Sequence, residues 1–200
     1  GRLAVVRAET NGLNSANSGA DASLLIKNND DFLASTPAQD FIARTPGEWG
    51  NGLKVIVADR GADQIITLNS APTGTPVAGN AVTFNLNGGG TATAEVVAYS
   101  NQVLTVVLDD PSRLITTSDA LDDGANADVV IGSVADWWSN TSVGGVALKD
   151  IGPRPGTSAY AMGRSIKYDQ VHVAVVDANG DVSGTAGTIV ERLLYLSKLT

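Results

Sequence analysis

The chain is 200 residues long, 43% apolar, 17% charged and 5% aromatic, the make-up of one ordinary domain or two small ones rather than of a disordered or membrane-embedded polypeptide. Thirteen Lys and Arg against 21 Asp and Glu leave a net charge of -8, so a phosphate backbone is repelled on average and nucleic-acid binding is not expected. With no cysteine and one histidine, His172, the chain has no disulfide, no thiolate nucleophile and no cysteine-ligated metal, and no apolar run reaches the roughly 20 residues of a membrane-spanning helix.

Twenty-two Gly among many Thr, Val, Asn and Ser favour short strands joined by turns, so the expected fold is α+β and mostly β. Leu3 to Ala8 is an apolar run with β-branched Val5 and Val6 that suits a strand, and it starts without a Met, which reads as a cut through a longer chain. From Glu9 to Asp21 almost nothing can be buried, which predicts a loop. Asn28 or Asn29 then caps a short helix over Asp30 to Leu33, ended before Pro37.

Leu53 to Ala58 reads as a strand, and alternating segments follow at the spacing of an all-β unit. Val82, Phe84 and Leu86 alternate with polar neighbours, Ala94, Val96 and Ala98 do the same, and Val103 to Leu108 is a third stretch. Asn87-Gly88-Gly89-Gly90 and Ser100-Asn101 punctuate them as hairpin connections. The expectation is a small antiparallel sandwich or barrel inserted over residues 59–135, between a scaffold segment, 1–58, and an α/β scaffold part beginning at 136 and running to 200. In that last part Val171 to Asp177 is a strand, and Thr188-Ile189-Val190-Glu191 has the form of a capping box, which predicts a helix through Leu193, Leu194 and Ser197.

Few residues offer chemistry. Asp177-Ala178-Asn179-Gly180-Asp181 is superficially a calcium loop, but glycine is fourth instead of sixth and the twelfth position is Thr188, so Asn179-Gly180 reads as a type I′ hairpin turn. Gly88 to Gly90 lacks the following helix that a phosphate cradle needs, and no Gly-x-Ser-x-Gly elbow accompanies His172, which shares a strand face with Ala174 and Val176 and reads as a buried structural histidine. The acid pairs Asp30-Asp31, Asp109-Asp110 and Asp122-Asp123 stand where caps and turns want carboxylates. Trp137-Trp138 could stack on a sugar, although adjacent strand residues point apart and one ring is expected in the core. Neither a metal nor a cofactor is expected.

Three segments resemble the tail sheath proteins of contractile-tailed bacteriophages. Leu3-Ala4-Val5-Val6-Arg7-Ala8 is similar to the Val-Val-Arg strand of such sheaths. Phe41-Ile42-Ala43-Arg44-Thr45-Pro46-Gly47-Glu48-Trp49-Gly50-Asn51-Gly52-Leu53-Lys54-Val55 resembles their Ala-Arg-x-Pro-Gly-x-Trp-Gly-Asn-x-Leu-x-Val signature. Gly156 to Ala161, Asp169-Gln170-Val171-His172 and Gly184-Thr185-Ala186-Gly187-Thr188-Ile189-Val190-Glu191 are similar to the family's Asp-Gln-x-His strand and Gly-Thr-x-Gly-Thr-x-x-Glu helix start. In this reading Pro46 and Gly47 make a tight turn, Trp49 staples it, Gly50 and Asn51 let the chain reverse, and Asp169, His172, Thr188 and Glu191 are structural too.

The resemblance implies a mechanical protein of the virion, assembled in the host cytoplasm, without catalytic residues. Copies would stack as a homo-oligomer around a tail tube protein, between baseplate and tail terminator proteins, and contract to drive the tube through the host envelope. Head-to-tail contacts between unlike patches give open helical assemblies of this kind. Two alternatives come from other classes. One is a carbohydrate- or receptor-binding β-domain that would use Trp137 and Trp138; the other is a hydrolase, which a chain with a single histidine is not expected to be.

Overall fold

The computed structural model describes residues 7–9, 30, 34, 50, 52–124 and 126–199. It is mostly β and contains a closed antiparallel barrel. The chain divides into two compact units, one spanning Arg60–Thr141 and the other built from the segments on either side of it.

The barrel is made by β3 (Gln64–Leu68), β4 (Ala81–Asn85), β5 (Thr91–Ser100), β6 (Val103–Leu108), β7 (Ala120–Leu121) and β8 (Val129–Asp136), in the order β3-β6-β5-β4-β7-β8. Alternation in sequence becomes alternation in burial: Ala92, Ala94 and Val96 of β5 and Leu104, Val106 and Leu108 of β6 point inward around Phe84, Ile66 and Leu68. Ala98, expected on the same face as Ala94 and Val96, is instead exposed, because the register against β6 shifts between Val96 and Ala98. Side chains therefore fill the interior, as they must in a barrel of so few strands. β3 closes the ring by pairing with β6 on one side and β8 on the other. The β5–β6 hairpin turns through Asn101 and Gln102, both at positive φ, the geometry that suits the twist of the flanking strands.

Two buried polar side chains organise the barrel's ends. The Gln64 amide replaces a strand neighbour for Ile115, accepting its N–H and donating to its carbonyl, both at 3.0 Å. Asp63 accepts the Leu108 N–H at 2.9 Å and pairs with Arg60. Gln64 stands opposite Asp136, and the Trp137 N–H donates to the Asp63 carbonyl at 3.1 Å, so the chain enters and leaves this unit at neighbouring points. Adjacent termini are what allow a domain to be inserted into another chain. Asp136 caps the single helical turn α1 (Trp137–Asn140) by accepting the Ser139 N–H.

In the other unit β1 (Arg7–Glu9), β2 (Leu53–Ala58), β11 (Gln170–Asp177) and β12 (Thr188–Ser197) form an antiparallel sheet in the order β1-β2-β11-β12. Between β2 and β11 in sequence lie the small hairpin β9 (Ser142–Val143) and β10 (Val146–Ala147) and two helical turns, α2 (Leu148–Ile151) and α3 (Ala159–Met162). Ile56, Ala58, His172, Ala174 and Val176 are buried on one sheet face. Gly152 lies close to this face: a Cβ there would come 3.1 Å from Leu194 and 3.6 Å from His172.

Two expectations are corrected here. The segment Thr188–Ser197 is not a helix but strand β12, so the α/β layer expected from Asp136 onward is an antiparallel hairpin at this point. The Thr188 hydroxyl donates to the Thr185 carbonyl at 2.7 Å instead of capping a helix, and Glu191 stands opposite Val175. Asn179-Gly180 is not a two-residue type I′ turn either: Gly180 has a positive φ, Asn179 does not, and the loop runs from Ala178 to Gly187. Glu9, expected to open a loop, is the last residue of β1; the rest of that loop, 10–21, and the Asn28 or Asn29 cap lie outside the described residues.

Candidate functional site

Four residues singled out in the sequence, Asp169, His172, Thr188 and Glu191, fall on the β11–β12 hairpin. Pro46, Gly47, Trp49 and Asn51 lie outside the described residues, whereas Gly50 is described and buried. Gly52 lies two residues further on, and its carbonyl accepts the Ala178 N–H at 2.7 Å. A Cβ on Gly52 would stand 2.5 Å from an Asp181 carboxylate oxygen, so a larger residue there would have to displace that side chain.

His172 is fully buried. Its Nδ1 accepts the Tyr195 N–H at 3.0 Å, which leaves the ring proton on Nε2, 2.7 Å from the Pro153 carbonyl that accepts it. Tyr195 has a φ of 58°, and its ring meets the imidazole edge-on at 4.8 Å between centroids. Both ring nitrogens are thus committed to backbone groups, and the histidine locks strand β12 to the Pro153 segment.

Asp169, three residues earlier and immediately before β11, makes similar use of its carboxylate. It accepts the Ser158 N–H at 2.7 Å and the Ser197 hydroxyl at 2.6 Å, while its own carbonyl takes the Lys198 N–H. The Ser197 hydroxyl is the largest influence on its acidity, the Ser158 N–H adds to it against the opposing effect of burial, and the carboxyl is lowered from 3.8 to about 2. Gln170 and Gly156 exchange further bonds, so the Gly156 to Ser158 and Asp169-Gln170 parts of the motif, separate in sequence, are brought side by side.

Asp177, whose sequence surroundings do not fit a calcium loop, organises the hairpin's tip. Fully buried, it accepts the N–H groups of Gly180, Asp181, Val182 and Ser183 at 2.6–3.0 Å and the Ser183 hydroxyl at 2.8 Å. The Ser183 N–H pulls its carboxyl down most, burial opposes, and the remaining donors bring it to about 2. Among the described residues no group of His, Asp and Glu is arranged to hold a metal ion.

This internal framework supports an apolar outer surface. β12 has no second neighbouring strand among the described residues, and Val190, Leu193, Tyr195 and Leu196 are 40–46% exposed. Val182 at the hairpin tip is 53% exposed. Two register shifts against β11 give β12 two bulges, and Glu191 and Arg192 project beside the apolar side chains. Bulges and charges on an edge discourage indiscriminate strand pairing while leaving the side chains available.

The barrel offers two shallow, open grooves, of about 410 Å³ between Pro72–Val77 and Leu121–Asn126 and about 620 Å³ beside Asn87, Arg113 and Asp119. Their carboxylates hold loops together. Asp123 receives the Thr73 hydroxyl and N–H, which, in that order, hold its carboxyl below the usual carboxylate range. For Asp119 burial is the largest single influence and pushes upward, but the Asn87 and Thr116 donors together outweigh it, so the carboxyl lies below 3.8. Trp138 is buried, and the six-membered ring of Trp137 lies over Gly61.

No family model matches the chain, and neither the curated proteins nor the solved structures contain a match.

Proposed function

We propose that this chain is a structural subunit that assembles with copies of itself, of the kind that forms contractile tail sheaths, and that it has no catalytic role. The observation that carries the reading is the exposed apolar strip of β12, fixed from within by Asp169, His172 and Asp177. Tyr195 also packs on His172, but the exposed parts of Val190, Leu193 and Leu196 beside it are the kind of apolar surface that a contact between subunits covers. The Asp169 and His172 part of the resemblance lies at the same hairpin and suggests the sheath reading and, with it, tube, baseplate and terminator partners, whereas Thr188 and Glu191 stand on a strand where the sheath motif implies a helix start.

The test is assembly itself. Sedimentation and electron microscopy of the chain across concentration and salt should reveal polymers that Leu193→Glu combined with Leu196→Glu abolishes while leaving the circular dichroism spectrum unchanged. A wild-type chain that stays monomeric throughout, or a double variant that polymerises as well as wild type, rejects the reading.

A further inference from the structure

Asparagine followed by glycine is the sequence most prone to lose its side-chain amide, because glycine leaves the next backbone nitrogen unshielded. The structure treats its two described pairs of this kind, Asn87-Gly88 and Asn179-Gly180, very differently.

Asn87 lies exposed in the loop between β4 and β5. Its N–H is held by Asp119 at 2.9 Å, but among the described residues no partner holds its side-chain amide, and no acceptor takes the Gly88 N–H. The turn is closed by the Gly89 N–H on the Leu86 carbonyl at 2.8 Å and the Leu86 N–H on the Gly90 carbonyl at 3.0 Å, but nothing lies within 4 Å of where a Cβ would stand on Gly88, Gly89 or Gly90, so no side chain walls off the Gly88 nitrogen. Asn179 is exposed as well, and its amide donates only a long 3.4 Å bond to Asp181. The difference is at the attacking nitrogen: the Gly180 N–H donates to the buried Asp177 carboxylate at 2.9 Å, and Gly180 backs onto Ala186, whose nitrogen would be 2.9 Å from a Cβ.

We propose that Asn87 is a site of spontaneous, water-dependent deamidation and that Asp177 protects Asn179 from the same reaction. The Gly88 nitrogen gives up its proton and bonds to the Asn87 side-chain carbon; the bond to Nδ2 breaks and ammonia leaves, carrying a proton. Water then opens the five-membered imide at either carbonyl, yielding aspartate or isoaspartate at 87. No oxidant, metal or enzyme is needed. At Asn179 the nitrogen must first abandon a charge-assisted hydrogen bond, which slows the reaction by about ten-fold or more.

The product matters locally. It places a new carboxylate next to Asp119 in a segment, Arg60–Thr141, whose basic residues are Arg60 and Arg113, with no lysine, and the isoaspartyl form lengthens the main chain where the Asn87 N–H meets Asp119. The ageing barrel should therefore become more acidic and lose the bond between these two loops.

The experiment is peptide mapping by mass spectrometry of the intact chain aged in mildly alkaline, heavy-oxygen water, with isoaspartate detected by enzymatic methylation. Heavy oxygen should accumulate at residue 87 about ten-fold faster than at 179 or more, Gly88→Ala should slow it, and Asp177→Ala should raise the rate at 179. Ageing in concentrated urea supplies a measurement that does not depend on that variant folding: the two sites should then react at similar rates. Equal rates in the folded chain, or a preference for Asn87 that persists undiminished in urea, overturns the proposal.

Discussion

The imidazole of His172 serves as the backbone partner that Tyr195 lacks. At the bulge of β12 the Tyr195 N–H turns inward, with φ at 58°, and donates to Nδ1 at 3.0 Å. On its other side the ring donates to Pro153. A buried amide and a buried carbonyl are therefore both satisfied by one side chain, which explains a histidine at the centre of an apolar strand better than any chemistry does.

His172→Phe separates packing from hydrogen bonding, since it keeps the ring and removes both bonds. The expected cost is about 2–4 kcal/mol in urea unfolding, together with faster hydrogen exchange at the Tyr195 amide. A variant as stable as wild type would mean that the ring acts through volume alone.

Asp169 and Asp177 set the acid behaviour of the hairpin. Both have folded values of about 2 against an ordinary 3.8, so the unfolded chain binds protons first as the pH falls. Their contribution to stability is full above 3.8 and is lost as the pH drops through about 2. Urea melts across this window should show falling stability, and the Asp169→Asn, Asp177→Asn double variant should start less stable and vary less with pH. An equally steep acid slope in that variant would assign the effect to other carboxylates.

The sequence was most legible where alternation was uninterrupted. Ala94 and Val96 keep their alternation in β5 until the bulge before Ala98, the apolar stretch Val103 to Leu108 became β6, and the β-branched run from Val171 became β11. β12 misled for a physical reason: its two bulges each add a residue, so Leu193 and Leu196, three apart as in a helix, stand on one sheet face opposite Val173 and Val171. The site was half visible. Asp169 and His172 stood out through the resemblance, but the role of Asp177 depends on four amides converging in a loop, and Gln64 finds Ile115 51 residues away, a pairing with no local signature.

Gln64→Leu tests that distant pairing. Leucine fits a buried site of similar size yet orphans the N–H and carbonyl of Ile115, which should cost about 2–4 kcal/mol. Phe84→Ala, which empties the middle of the same core, should cost about 3–5 kcal/mol. Thermal unfolding by calorimetry checks both, and a Gln64→Leu protein of undiminished stability would show that water replaces the amide without loss.

Gly61 and Trp137 make a coupled pair at the place where the barrel's strands begin and end. Gly61 has a φ of 65°, and a Cβ there would lie 2.2 Å from the Trp137 ring, so Gly61→Ala combines backbone strain with a collision. The expected destabilisation is about 1–3 kcal/mol. Trp137→Ala removes the obstacle but also the packing, so it too destabilises alone. In the double variant the collision no longer exists and only the φ penalty and the lost packing remain. The double variant should therefore be more stable than the sum of the two single effects predicts, by about 0.5–3 kcal/mol of coupling in a double-mutant cycle of urea midpoints. Strict additivity would mean that the indole simply swings aside, and that glycine is required at 61 for its backbone angle alone.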